Sequence, residues 1–491
     1  MAPALTFARR HWLFLVLLAA AAGLRLVTLL AYRPALIYFD STSYLDNVDN
    51  LVPQQVRPIG YALFLSLLPL KSVGLMVIPF LQHGLGLATG VLIYALMLRL
   101  GVRPWAGALA AAPVLLDAYQ LNIEEYILSE SLYELLIVAG CALILWRRRP
   151  AVVPAALAGL LFAVAAATRV SGLVIVLPGA LALAFLGRRR LWPLGAFLAA
   201  FAIPIAAYMI WFHSLYGTYS LTSYGGRFLY ARVAPFANCS ELSLPAYERV
   251  LCPQQPLGHR LTVEQYMWGH NTSPVYRLHT PRGKTRPQVA GSFAKRVIVH
   301  QPFTYARVVA HDFLRAFAWG RHTQRGELPV ARWQFQNTFP IFRKRVHTVL
   351  RKYEGGPNAH SVRRPLTHFL RRYQSVAFTP GPLLALGLVA GLLAALGLGR
   401  ARRSGLRTAA FLFTAGALAV YVPSVAANQF TWRYQLPLLV LLPPAAAVGL
   451  TALLRRRERP RRRVRPDAAG EAPTAVQAPG PDGGVAEPAQ R

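Results

Sequence analysis

Apolar runs of about twenty residues recur along this chain, and most of them give way to arginine. About twenty apolar residues are what a helix needs to cross the hydrocarbon core of a bilayer, so a sequence patterned this way folds in lipid. Candidate spans lie at 12–31, 73–98, 105–121, 130–146, 152–168, 171–187, 191–212, 381–399, 408–427 and 435–454, with those at 105–121 and 152–168 the shortest. With 55% of 491 residues hydrophobic, a water-soluble fold would need a core larger than one domain supports. The expected fold class is therefore an all-α polytopic membrane protein of about ten transmembrane helices. The first run follows Arg9 and Arg10, but it is long and shows no convincing small-residue cleavage site before Arg33. It reads as a retained signal-anchor helix.

The arginines set the expected orientation. Arg9 and Arg10 precede the first span; Arg99 and Arg103, Arg147 to Arg149, Arg188 to Arg190, Arg400 to Arg407 and Arg455 to Arg465 follow the second, fourth, sixth, eighth and tenth. With ten spans every short basic loop falls on one side, which the positive-inside rule makes cytoplasmic, together with both termini. The localisation expected is a multi-pass protein of the cell membrane. The net charge of +34 reflects these clusters, so no nucleic-acid partner is expected.

Four regions follow. Residues 1–212 form an N-terminal transmembrane module with its first outer loop at 33–72; 213–378 form an extracytoplasmic loop domain; 379–454 hold the last three spans; 455–491 form a basic, then Pro- and Ala-rich tail expected to be disordered. Two segments, 56–70 and 302–319, are too short or too charged to span and read as helices lying on the outer surface. Cys141 falls within a span, whereas Cys239 and Cys252 lie thirteen positions apart in the outer region, where a disulfide between them is stable.

Polar residues gather on the outer face in separate places: Asp40 in the first loop; Asp117, Glu124, Glu125 and Glu130 after the third span; Arg169 after the fifth; the long loop; and Arg433 with Tyr434 at the start of the last. Carboxylates suit a general base or a metal, and arginines suit a phosphate. Each also has a plainer reading. Asp40 reads equally as a helix cap, Glu124 and Glu125 as loop acids, Arg169 and Arg433 as lipid-snorkelling side chains, Arg57 as a surface anchor, and His83 as a satisfied core histidine. No Walker A or HExxH motif occurs, and no chain of carboxylates inside the spans is evident.

Taken in order, these motifs resemble the GT-C-type membrane glycosyltransferases, the polyprenyl-phosphate-sugar-dependent group that includes protein mannosyltransferases and the aminoarabinose transferase of lipid A. The resemblance rests on "YFDSTSYL" in the first outer loop, "RPIGY" leading a short surface helix, "EEYILSESLYELL" after the third span, "ATRVSGLVIVLP", and "RYQLPLLVLL" opening the last span. It covers roughly residues 10–200 and 380–450 and leaves the long loop without an assigned motif. What it implies is transfer of a sugar from a polyprenyl-phosphate donor to a glycan, lipid or protein acceptor on the outer face. Asp40 would be the general base, with a raised pKa. Arg169, Arg433 and Arg57 would meet the donor phosphate, and Glu124 or Glu125 would orient the acceptor or hold a divalent cation, Mg or Mn. Many relatives carry Asp-Glu where this chain has Asp40-Ser41, which puts metal use in question.

Two other classes stay open: a transporter or flippase of lipid-linked saccharide, which would carry acids within its helices and pseudo-symmetric halves, and a non-catalytic envelope scaffold. Convergence of Asp40, the acids after the third span and Arg433 would favour the enzyme; scatter would favour the scaffold.

Overall fold

A computed structural model of the chain describes residues 2–187, 191–342 and 344–454. The arginine clusters at 188–190 and 455–465 and the tail expected to be disordered lie outside the described residues. Residues Met1–Leu454 form one compact unit.

The fold is helical, with a single two-stranded sheet among the described residues. In chain order the first helices are α1 (Ala2–Ala31), α2 (Phe39–Asp46), α3 (Gly60–Ser66), α4 (Leu70–Val73), α5 (Val77–Arg99), α6 (Pro104–Leu116), α7 (Ala118–Glu125), α8 (Glu130–Leu145), α9 (Val152–Thr168), α10 (Val176–Gly187) and α11 (Trp192–Tyr216). The middle region supplies α12 (Gly225–Val233), α13 (Val263–Trp268), α14 (Arg286–His300), α15 (Pro302–Arg315), α16 (Arg345–Glu354) and α17 (Arg364–Val376). The chain closes with α18 (Gly381–Leu396), α19 (Arg407–Ala427) and α20 (Leu436–Leu454).

Among the described residues six helices are long and apolar enough to cross a membrane: Thr6–Ala31, Val77–Arg99, Val170–Gly187, Trp192–Tyr216, Arg407–Ala427 and Trp432–Leu454. A seventh crossing is available from α17 and α18, which meet at a 49° bend. Large apolar side chains on α11 face outward, among them Trp192, Ile203 and Ile210. An exposed apolar belt of this kind suits lipid and not water. The chain is a helical membrane protein.

Of the remaining expected spans, that at 105–121 is broken, whereas those at 130–146 and 152–168 keep their expected extent to within one residue. The run at 105–121 is interrupted: α6 stops at Leu116, and the side chain of Asp117 caps the next helix by accepting from Tyr119 N at 2.9 Å. The spans expected at 130–146 and 152–168 are α8 and α9, of 16 and 17 residues. At 1.5 Å per residue each is roughly 25 Å long, a little under a typical hydrocarbon core. The surface helix expected at 56–70 is the pair α3 and α4, and that at 302–319 is α15, whose Phe303 and Leu314 are exposed.

The region 213–378 has two parts. Around α12, α13 and α14 it builds a small core of its own from Tyr230, Tyr266, Phe293 and Val297. There Cys239 is joined to Cys252, with their Cα atoms 6.1 Å apart. The second part is knitted into the main core. Trp333, Phe335, Leu350 and Tyr353 are buried there, and Ser361–Val362 pairs antiparallel with Tyr32–Arg33 at the end of α1. That pairing fixes where the chain leaves the first span, and so fixes the segment that leads to Asp40.

Candidate functional site

Asp40 sits in the first turn of α2. Ser41 beside it has a local job: its hydroxyl donates to Ile127 O at 2.8 Å and accepts from Tyr38 N at 2.9 Å. A serine at this position therefore pins the start of α2 to the segment after α7. The same two strands of chain are bridged again where Leu36 N donates to Glu125 O and Ile127 N donates to Leu36 O, each at 3.0 Å.

Both oxygens of Asp40 are occupied. Oδ1 accepts from Arg57 Nη2, and Oδ2 accepts from Arg433 Nη1 at 2.8 Å. Arg433 Nε donates in turn to Glu130 Oε1, and the same oxygen takes Arg169 Nη1. One continuous chain of ions results: Arg57, Asp40, Arg433, Glu130, Arg169. Five segments remote in sequence meet in it: the start of α2, the loop before α3, the first turn of α8, the end of α9 and the turn before α20. Three guanidiniums against two carboxylates leave one positive charge in excess.

Local sequence explains this convergence. In "RPIGY", Gly60 lies so close to the end of α9 that a Cβ there would stand 2.6 Å from the carbonyl of Ala167. Only glycine permits that approach, and it brings Arg57 and Arg169 to one place. Aromatic rings pack beside the guanidiniums: Arg57 over Tyr44, Arg169 over Tyr133 and Arg433 over Trp333, each 5.8 Å from the ring centre. Stacking of this kind offsets part of the cost of burying arginine. Trp333 also donates from Nε1 to Thr431 Oγ1 at 3.0 Å, which ties the 213–378 region to the turn bearing Arg433.

The expectation of a raised pKa for Asp40 is overturned. Burial pushes its carboxyl up, but Arg57 and Arg433 outweigh burial and hold it at about 2. In this state Asp40 is an ionised partner of two cations, with little appetite for a proton.

Glu124 and Glu125, expected on the outer loop as ligands for an acceptor or metal, are fully buried in a second cluster. Glu124 Oε1 accepts from Arg25 Nη2 at 2.9 Å, and its Oε2 faces His83 Nδ1 at 2.8 Å. His83 Nε2 faces Glu125 Oε2 at 3.1 Å. Gln120 Nε2 donates to Glu124 Oε1 at 3.2 Å and to Glu134 Oε2 at 2.8 Å. Gly86, one turn beyond His83, makes the space, since a Cβ there would stand 2.1 Å from Glu124 Oε1.

Glu130, one of the acids after the third span, thus joins the site, together with Arg25 and Glu134, to which the sequence alone gives no role. The signals existed. Arg25 is a lone charge inside an apolar run, which calls for a partner. Glu130 and Glu134 are spaced to share one face of α8. Buried acids within a candidate span also correct the expectation that none was evident. Among the described residues no group of three or more His, Cys, Asp or Glu is arranged to hold a metal ion.

No protein-family model, curated protein or solved structure matches this chain.

Proposed function

We propose that this protein is an integral membrane glycosyltransferase of the GT-C type, which moves a sugar from a polyprenyl-phosphate donor to a cell-envelope glycan, lipid or protein. In this reading the six long apolar helices are joined by α6, α8, α9 and α18 to give about ten spans in the cell membrane, with both termini cytoplasmic and Asp40 on the outer face. The observation that carries the reading is the ion chain itself. It gathers a carboxylate and a surplus of guanidinium charge from five remote segments, which is the pairing that sugar transfer from a lipid phosphate requires.

The two cations on Asp40 suggest how the base is switched on. The donor's phosphate competes with Asp40 for Arg57 and Arg433. As the guanidiniums turn to the phosphate, Asp40 loses the charges that hold its carboxyl low, and its affinity for a proton rises. The acceptor oxygen then attacks the anomeric carbon. Its proton passes to Asp40, the bond from the anomeric carbon to the phosphate oxygen breaks, and polyprenyl phosphate leaves with that electron pair. Arg433, Arg57 and Arg169 meet the growing charge on the phosphate. Attack opposite the leaving group inverts the anomeric centre.

A second reading, transport of a lipid-linked saccharide, gains from Arg25 and Glu134, ionisable groups buried within candidate spans. Convergence of the polar segments weighs against a scaffold. Proteoliposomes holding a radiolabelled polyprenyl-phosphate sugar separate the readings. The enzyme converts the label to product and releases polyprenyl phosphate; a transporter moves the label across the bilayer unchanged, and that result would overturn the proposal.

A further inference from the structure

The buried cluster behind Asp40 does not balance its charges. Glu124, Glu125 and Glu134 bring three carboxyl groups, Arg25 one guanidinium and His83 one imidazole, and each of these side chains is at most 3% exposed or lies within a residue no more than 2% exposed. Fully ionised, the five groups sum to one negative charge even with His83 protonated. An uncompensated buried charge is costly enough that groups change protonation instead.

Hydrogen bonding points the same way. His83 presents one ring nitrogen to Glu124 and the other to Glu125. An imidazolium donates from both nitrogens; a neutral imidazole donates from one, and the carboxyl opposite the other must carry the proton. Two protons therefore lie between these three side chains in either form. Beyond them, Glu125 Oε1 and Glu134 Oε1 are buried without a hydrogen-bond partner. The neighbouring Gln120 Oε1 and both ends of the Asn122 amide are likewise unpartnered. For a carboxylate such an oxygen is an exposed charge in an apolar interior. For a neutral carboxyl it is only an unmade hydrogen bond.

The adjoining ion chain carries one positive charge in excess, but its guanidiniums are bound to Asp40 and Glu130 and none is paired with Glu125 or Glu134. Arg25 is held by Glu124, and Arg169, which acts on Glu134 from the end of α9, is bound to Glu130. Glu130 itself is paired with Arg169 and Arg433. Tyr32, on the segment leaving α1, donates its hydroxyl to Gln336 O at 2.7 Å and, with its pKa raised by burial, stays a neutral phenol.

We propose that Glu125 and Glu134, with His83 and Glu124, form a proton-binding site inside the helix bundle, which holds a proton on a carboxyl at neutral pH and is linked mechanically to the segment that carries Asp40. The link is direct: Glu125 O and Ile127 N bridge Leu36, and Ile127 O takes the hydroxyl of Ser41. This proposal does not rest on the glycosyltransferase reading. Consistent with it, burial lifts the Glu125 carboxyl to about 7 despite the hydrogen bond and charge of His83.

Infrared difference spectra of the full chain in lipid nanodiscs, recorded between about pH 5 and pH 9, test the site. A carbonyl band of a protonated carboxylic acid is expected to disappear as pH rises, and to be lost or weakened in Glu125→Gln or in Glu134→Gln. Glutamine keeps the size of a neutral carboxyl, and two separate variants guard against one that fails to fold. Hydrogen exchange at about pH 9 tests the link: the segments 36–41 and 124–130 are expected to exchange several-fold faster in the wild type than in Glu125→Gln. Absence of the band, or a band unchanged in both variants, overturns the site. Equal exchange in the two proteins overturns the link.

Discussion

Arg433 donates to Asp40 over 2.8 Å across 393 positions of sequence, and the same guanidinium reaches Glu130. This one side chain therefore joins the turn before α20 to the start of α2 and to the start of α8. Replacing it by lysine keeps the charge but removes the planar fork whose Nε and Nη1 reach Glu130 and Asp40 separately. Arg433→Lys is expected to lower sugar transfer roughly 100-fold, as loss of one charge-stabilising donor does. Arg433→Ala is expected to cost about 3 kcal/mol of stability as well, since Glu130 is buried. Transfer assays beside thermal melts of both variants check this.

Gly60 sets the spacing between Arg57 and Arg169. A methyl group there meets the backbone of Ala167, which has no flexible end to move aside. Gly60→Ala is expected to destabilise the protein by about 1–3 kcal/mol and to reduce transfer through displaced arginines. Unchanged melting and activity would show that α3 does not need this close approach.

Gly86→Ala probes the buried cluster in the same manner. Its Cβ would fall on the carboxylate of Glu124 and beside Arg25. Breaking that pair leaves a buried charge exposed to an apolar interior, so a loss of about 3 kcal/mol is expected, read as a lower melting temperature.

The pH dependence of stability follows from Glu125. Its carboxyl is raised from 4.5 to about 7 in the folded protein. A raised acid binds its proton more tightly when folded, so its contribution to stability is complete below about pH 4.5 and is lost as pH rises through about 7. Melting temperature is expected to fall between about pH 4.5 and pH 7 in the wild type, to level off above that, and to fall less in Glu125→Gln. The comparison is made in one detergent or nanodisc composition.

Much of the helical layout was legible in the sequence, because lipid imposes one simple rule on every spanning segment. The limits appear where that rule is broken. The run at 105–121 reads as continuous apolar sequence, yet Asp117 starts a new helix there and binds Arg321 from the middle region, an ion pair no local pattern announces. Asp40, Arg57, Arg169 and Arg433 stood out as polar residues at span ends, and the structure brings all four together. Glu124 and Glu125 stood out too, but the same signal could not say that they turn inward to His83 and Arg25. Trp333 was silent, because its role depends on packing between regions about a hundred residues apart.

In the proposed function Asp40 takes the acceptor's proton. This role is tested most directly by sugar transfer in membranes that carry equal amounts of wild-type or Asp40→Asn protein and are supplied with a radiolabelled polyprenyl-phosphate sugar. Asparagine keeps the shape and the oxygen that faces a guanidinium but cannot accept the proton. Transfer is predicted to fall roughly 10²–10⁴-fold with the protein still folded. Undiminished transfer by Asp40→Asn would contradict the account.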